Sequence, residues 1–267
     1  MSDNSTQTKV SLLNVELPEF AETAAKNLTD KPSLSVGQTL SDIWQIVFGN
    51  RFSYAAEKQR MKYEHELAEY QKTLEQKVNT IPEEKKIEPS FLIAGQALED
   101  SKYCAESEDL RNLYANLIAN SMNIDYVDKV HPSFSKIIHQ LSPLDARMLQ
   151  VFHDHHSHGG IAIVNYIKKT NGDGFENLLE FIPAYMPDCC PPTAAAKSIV
   201  SLQRLGLIQI PADVFFSDDG RYARFYNTQL YRELHRKSIM FGYTLDIKKR
   251  VARLTPLGED FVSVCLD

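Results

Sequence analysis

Apolar residues recur every three or four positions along most of this chain, and that period predicts helices. In "SVGQTLSDIWQIVFG", Val36, Leu40, Ile43 and Val47 fall on one stripe beside Trp44, and Gly49 is the stop. An amphipathic helix this apolar has two uses, a membrane surface or its own domain. Its polar face lacks the Lys/Arg enrichment of interfacial helices, which favours docking on its own domain. From Arg51 to Thr80 no Gly or Pro interrupts a run of Glu, Lys, Gln, Ala and Leu, all strong helix formers. Tyr63, Leu67, Tyr70 and Leu74 keep one seam at 4-3-4 spacing. At ~1.5 Å per residue the helix is roughly 40 Å long, so it projects or pairs, and residues 51–80 are a candidate for self-association as a short coiled coil.

Pro82 and Pro89 punctuate the chain, and two more helices follow. The second opens with Ser107 as N-cap, with Glu108 and Asp109 in its first turn. Leu110, Leu113, Tyr114, Leu117 and Ile118 form its stripe. Residues 36–125 therefore read as a helical domain, preceded by a mobile segment over 1–35 in which "TDKPSLS" is a linker.

A second unit spans 126–267. "HPSFSKIIHQLSPLDARMLQVFHD" predicts two short helices, the second capped by Ser142 with Pro143 at its first position. "IAIVNYIKK" is β-branched and aromatic and predicts a strand. "FENLLEFI" reads as a short helix. "PPTAAAKSIVSLQRLG" reads as a helix capped by Thr193 and stopped by Gly206 in a left-handed cap. "LIQI" and "ARFYN" are strand candidates around the turn "SDDGR", "KRVARLT" is another, and Thr255 caps a last helix. Helix, helix, capped helix, ribbon and final helix is a winged-helix order. The predicted fold is thus mainly α: an N-terminal helical domain with one long helix and a C-terminal winged-helix-like α+β domain.

Charge changes this picture locally. The formal net charge of −6 argues against a polyanion binder over the whole surface. Residues 1–123 carry 13 Lys/Arg against 19 Asp/Glu, whereas residues 221–253 hold nine basic residues against Glu233 and Asp246. There Arg221, Arg224, Arg232, Arg236, Lys237, Lys248, Lys249, Arg250 and Arg253 alternate with Tyr222, Phe225, Tyr226, Tyr231 and Tyr243. Cations neutralise phosphates and aromatic rings stack on unpaired bases. The competing reading is a solvated, partly core-packed region whose cations pair with the acidic helical half. On the helix 193–205, Lys197 and Arg204 join the candidate binding residues, though three alanines leave that helix thin for reading bases.

Other chemistry is sparse. "HDHHSHGG" supplies His153, His155, His156 and His158, but ligands packed so closely cannot all face one ion, and a polar loop is the reading preferred to a metal site. "KTNGDGFENLLE" nearly matches a calcium loop, with Asn171, Asp173, Gly174 and Glu180 in place. Lys169 stands where the first carboxylate is required, which rejects the site. No phosphate-binding glycine loop, nucleophile elbow or His-Glu zinc helix occurs, so neither an enzyme nor a cofactor is expected. Cys104, Cys189, Cys190 and Cys265 make no disulfide framework. The N-terminus lacks an apolar signal core, and no stretch is long enough for an integral membrane span. A cytoplasmic protein with reduced thiols is expected.

Two blocks carry a family resemblance. They are "IPEEKKIEPSFLIAGQALEDSKYCAESEDLRNLYANLIANSMN" and "KVHPSFSKIIHQLSPLDARMLQVF", the latter followed downstream by "SLQRLGLI". Over roughly 36–210 the chain resembles the abortive infection alpha proteins of bacteria. The resemblance implies phage defence, in which infected cells stop growing or die. It implies no catalytic residue or cofactor. Two readings of function follow. One is a non-enzymatic interaction protein that docks a phage or host protein through the winged domain. The other is a nucleic-acid-binding regulator using 221–253.

Overall fold

Caps and stripes set the helices in this computed structural model, which describes residues 34–48, 57–104, 106–169 and 174–266. The predicted N-terminal segment, apart from its last two positions, and the calcium-like turn at 170–173 lie outside them. Helices α1 (Leu34–Phe48) and α2 (Glu57–Thr80) lead, with Leu40, Ile43, Trp44 and Val47 buried on α1. The α2 seam from Leu67 through Tyr70 and Leu74 to Val78 is buried too, and α2 packs on α4 (Glu108–Asn120). That stripe is thus spent inside the chain. Between them a π-turn (Phe91–Gly95) feeds the short α3 (Gln96–Ser101). Ser107 Oγ accepts the Leu110 amide at 3.4 Å, so the predicted cap of α4 is present.

Helices α5 (Phe134–Gln140) and α6 (Pro143–His155) follow as predicted. The first residues of α6 form a reciprocal cap. The Ser142 amide donates to Asp145 at 2.8 Å, and the Asp145 amide donates to Ser142 Oγ at 3.2 Å.

The second half departs from the winged-helix order, and that expectation is overturned. The fold is α+β, with a curled four-stranded antiparallel sheet in the order β2-β1-β4-β3. Strands β1 (Ile161–Lys169) and β2 (Phe175–Pro183) form a hairpin ahead of α7 (Pro192–Arg204), where a helix was expected. "LIQI" contributes only β3 (Ile208–Gln209). "ARFYN" is helical: α8 (Gly220–Ala223) runs into a 3-10 turn (Arg224–Asn227). A further helix, α9 (Gln229–Phe241), occupies the place of the ribbon. Strand β4 (Thr244–Leu254) then returns beside β1 along all nine β1 residues, and α10 (Pro256–Cys265) closes the chain.

The reason lies in β1. Its first seven residues are all buried, so it needs cover on both faces and a partner on both edges. β4 supplies one edge. The 175–183 segment supplies the other, at the cost of two register shifts. Buried Asn165 sits at the first of them and accepts the Phe181 amide at 3.1 Å, while Phe181 adopts φ 56°.

Two further predicted ends are confirmed and one moves. Gly206 (φ 75°) ends α7, and the Leu207 amide reaches back to the Leu202 carbonyl at 3.1 Å. Thr255 Oγ1 accepts the Gly258 amide at 3.0 Å and caps α10. α7, however, starts at Pro192 with Pro191 in the cap position, two residues ahead of Thr193. One buried cluster runs from Leu40 to Cys265 and includes residues of every layer. Asn116 of α4 donates to the Cys265 carbonyl at 2.8 Å, tying the first helices to the last.

A cation-lined cleft at the head of the sheet

The histidine stretch and the basic stretch, read separately in the sequence, meet in space. α6 ends at His155, a 3-10 turn covers His156–His158, and two glycines lead into β1. Gly159 has φ 77° and Gly160 φ 111°. A Cβ on Gly160 would lie 2.3 Å from the Ala252 carbonyl oxygen, so only glycine lets β1 begin against β4 there. The resulting cleft holds about 260 Å³ and is lined by His155, His158, Gly160, Ala162, Tyr185 and Arg221.

Tyr185 is placed just past β2, where the Ala184 amide still bonds the Ala162 carbonyl at 2.8 Å. The His155 ring lies 4.1 Å from the Tyr185 ring, and the Arg224 guanidinium lies 4.4 Å from it. His155 Nδ1 is 2.9 Å from the Val151 carbonyl oxygen, which acts only as an acceptor and so fixes a proton on Nδ1. Arg221 donates to the His158 carbonyl at 3.0 Å and stacks 4.1 Å over Phe216. No lining residue is a carboxylate.

Two tyrosines staple the helical insertion between β3 and β4, residues 210–243, to the sheet. Tyr222 OH donates to the Arg250 carbonyl at 2.9 Å and accepts the Phe216 amide at 3.0 Å. Burial raises its pKa, so it stays a neutral donor. Tyr166 OH, on β1, donates to the Phe225 carbonyl at 3.0 Å. Tyr222 and Phe225 of the basic stretch therefore serve as anchors, while Arg221, Arg224 and Lys248 lie over rings outside the stretch, those of Phe216, Tyr185 and Phe175.

The ten predicted binding residues do not form one patch. Arg221 and Arg224 stand at the cleft. Lys249 binds Asp219 at 2.6 Å and lies 5.5 Å over Tyr222, and its pKa is raised by that hydrogen bond. Lys248 and Arg250 project from the opposite face of β4. Lys248 lies 4.7 Å over Phe175, and Arg250 reaches the Ala212 carbonyl at 3.4 Å with its Nε buried and unbonded. Arg232, Arg236 and Lys237 are exposed on α9, and no ion pair involves them among the described residues. Lys197 is exposed on α7 and Arg204 donates to Gln140 at 3.1 Å. That helix packs on β2 and α6, away from the insertion.

The sequence reading missed Tyr185 altogether, since nothing local marks it. It did single out the histidines, for metal chemistry. Among the described residues no three of His, Cys, Asp and Glu group as a metal site. A larger cleft of about 460 Å³ lies between α2, α4, α6 and the end of α10. It mixes signs, with Arg147 3.6 Å from Asp109, and burial lowers the pKa of Lys77. Its charges answer one another, whereas among the described residues no carboxylate pairs with Arg221 or Arg224 at the first cleft.

The class is thus an α+β protein with a curled antiparallel sheet and a cation-lined cleft at the sheet's head. The pattern that defines the abortive infection alpha family matches residues 62–265, and the chain belongs to that family. Membership ties it to abortive infection. No curated protein and no solved structure matches the chain. Among the described residues no helix is long and apolar enough to cross a membrane.

Proposed function

We propose that this protein serves abortive infection by binding rather than by turnover, and that its ligand is a nucleic acid. One observation carries the reading: Arg221 and Arg224, each braced on an aromatic ring, flank a cleft whose lining includes two histidines and no carboxylate. Phosphates are met by such cations, and bracing on rings holds the guanidinium groups in place before the ligand arrives. The volume of the cleft suits a nucleotide unit of a single strand better than a duplex groove, which a rigid helix would enter.

The test is binding of labelled single-stranded RNA and DNA at rising salt. Affinity is expected to fall steeply between low and physiological salt, and R221E/R224E is expected to abolish it while the protein stays folded. Binding that ignores salt, or survives the double charge reversal, ends this reading. Capture of an acidic protein by the same two arginines, with no nucleic acid bound, would return the function to protein docking.

A further inference from the structure

The far end of the sheet, away from the cleft, carries a different surface. α9 buries only Ser238 fully, and Leu230, Tyr231 and Leu234 half-bury on the inner side. Its last three residues are left out in solvent: Ile239 is 72% exposed, Met240 69% and Phe241 69%. Consecutive helical residues point about 100° apart, so these three ring the helix end instead of forming a stripe. Gly242 (φ 67°) stops the helix in a left-handed cap, and β4 departs at once. The apolar cluster is therefore a protruding tip and not a groove.

Cations surround it. Arg236 and Lys237 lie within the last two turns of α9 and Arg232 nearer its start, against Glu233 alone among the acidic residues of that helix. The sheet register brings a second set to the same end, because Lys169 pairs with Thr244 on one side and Phe175 on the other. Lys168 lies 5.6 Å over Tyr243, and Lys248 lies 4.7 Å over the half-exposed Phe175. Asp246 engages Lys169 at 2.7 Å, and Glu176 stands 3.5 Å from Lys168. Even so, the α9 cations remain without acidic partners among the described residues.

An exposed apolar tip collared by Arg and Lys matches one occupant best. A protein partner would have to supply both an apolar groove for the tip and an acidic rim for the cations beside it. An anionic lipid surface accepts apolar side chains to a depth of roughly 5–10 Å and holds cations at its headgroups. We propose that the α9 tip docks this protein peripherally on anionic bilayers, with Ile239, Met240 and Phe241 entering the acyl boundary and Arg236 and Lys237 meeting the headgroups.

The experiment is co-sedimentation of the full chain with vesicles of phosphatidylglycerol and phosphatidylcholine, compared with phosphatidylcholine alone. Binding is expected only with the anionic lipid. I239S/F241S and, separately, R236E/K237E are expected to weaken it by roughly tenfold or more. Phe241→Trp adds a direct readout, since its emission should be quenched by lipids brominated in the acyl chains. R221E/R224E should still bind vesicles, and I239S/F241S should still bind nucleic acid, which separates this surface from the cleft. The proposal is overturned if anionic vesicles do not bind, or if the tip variants bind as well as the parent. It is equally overturned if I239S/F241S lowers thermal stability, meaning the chain covers its own tip, or if it dissolves a dimer, meaning a second copy does.

Discussion

Ser198 Oγ donates to Asp145 Oδ1 at 2.5 Å, which joins the middle of α7 to the first turn of α6. The same carboxylate accepts the Ser142 amide at 2.8 Å and lies 3.2 Å from Ser201 Oγ. One buried charge thus caps one helix and fastens a second. Asp145→Ala removes the acceptor and leaves Ser198 buried without a partner. A loss of about 2–4 kcal/mol is expected, against about 1 kcal/mol for Ser198→Ala, read from urea midpoints. Equal losses for the two would mean the carboxylate acts only as the α6 cap.

Two glycines make opposite predictions about alanine. A Cβ on Gly258 would meet the Leu207 carbonyl oxygen at 1.9 Å, where α10 crosses the β3 entrance. Backbone cannot rotate aside, so Gly258→Ala should cost about 3 kcal/mol or more despite the better helix propensity of alanine. Gly206 has φ 75° and nothing within 4 Å of such a Cβ. There only the left-handed backbone is penalised, and Gly206→Ala should cost about 1–2 kcal/mol. Thermal melts of the two variants check the ranking.

Asp100 gives the fold an acid-sensitive joint. Burial alone would raise its pKa, but hydrogen bonds from Lys136 at 2.8 Å and Ser135 at 2.6 Å outweigh burial and hold it below the ordinary value. A carboxyl depressed in the folded state contributes stability that is complete above its unfolded pKa of about 3.9 and is lost as pH falls through the folded value. Asp100→Asn should therefore be less stable than the parent at neutral pH, and the gap should close below about pH 4. Denaturation midpoints across that range read it. A gap that stays constant would remove Asp100 from the acid response.

At the cleft, Tyr185→Ala takes the ring from between His155 and Arg224. Arg224 then regains its rotamers, and nucleic-acid affinity should drop by roughly tenfold, the scale of about 1 kcal/mol or slightly more for a lost cation–ring contact. Tyr185→Phe keeps the ring and should bind like the parent. Because Tyr185 lies at the surface, 43% exposed, neither change should move the melting temperature by much. Weaker binding in Tyr185→Phe would assign the role to the hydroxyl instead.

Helix ends were the most legible part of this fold, because capping is local. Ser107, Ser142, Gly206 and Thr255 could be read without knowing what they pack against. The 175–183 segment could not. Phe175, Leu178, Leu179 and Ile182 are spaced as a helical stripe, and the strand period is absent. Its partner β1 decides the matter, and two register shifts reconcile the wrong period with a ladder. α9 carried readable signals in Thr228, Leu230, Leu234 and Gly242, but the aromatic and basic residues drew the reading toward a ribbon. Likewise Tyr222 and Phe225, three apart and both buried, already had helical spacing. The cleft itself was half legible. The sequence marks the histidines and arginines, yet only the hairpin and the Gly159–Gly160 turn bring His155, Tyr185 and Arg221 together.

β1 is made well before its longest partner, β4, with β2, α7, β3 and the helices α8 and α9 between them. A chain still on the ribosome has neither the central ladder nor the floor to which Tyr222 and Tyr166 attach the arginines. Loss of the segment from Thr244 onward is therefore expected to unbrace the cleft arginines along with the ladder, although neither Arg221 nor Arg224 lies within it.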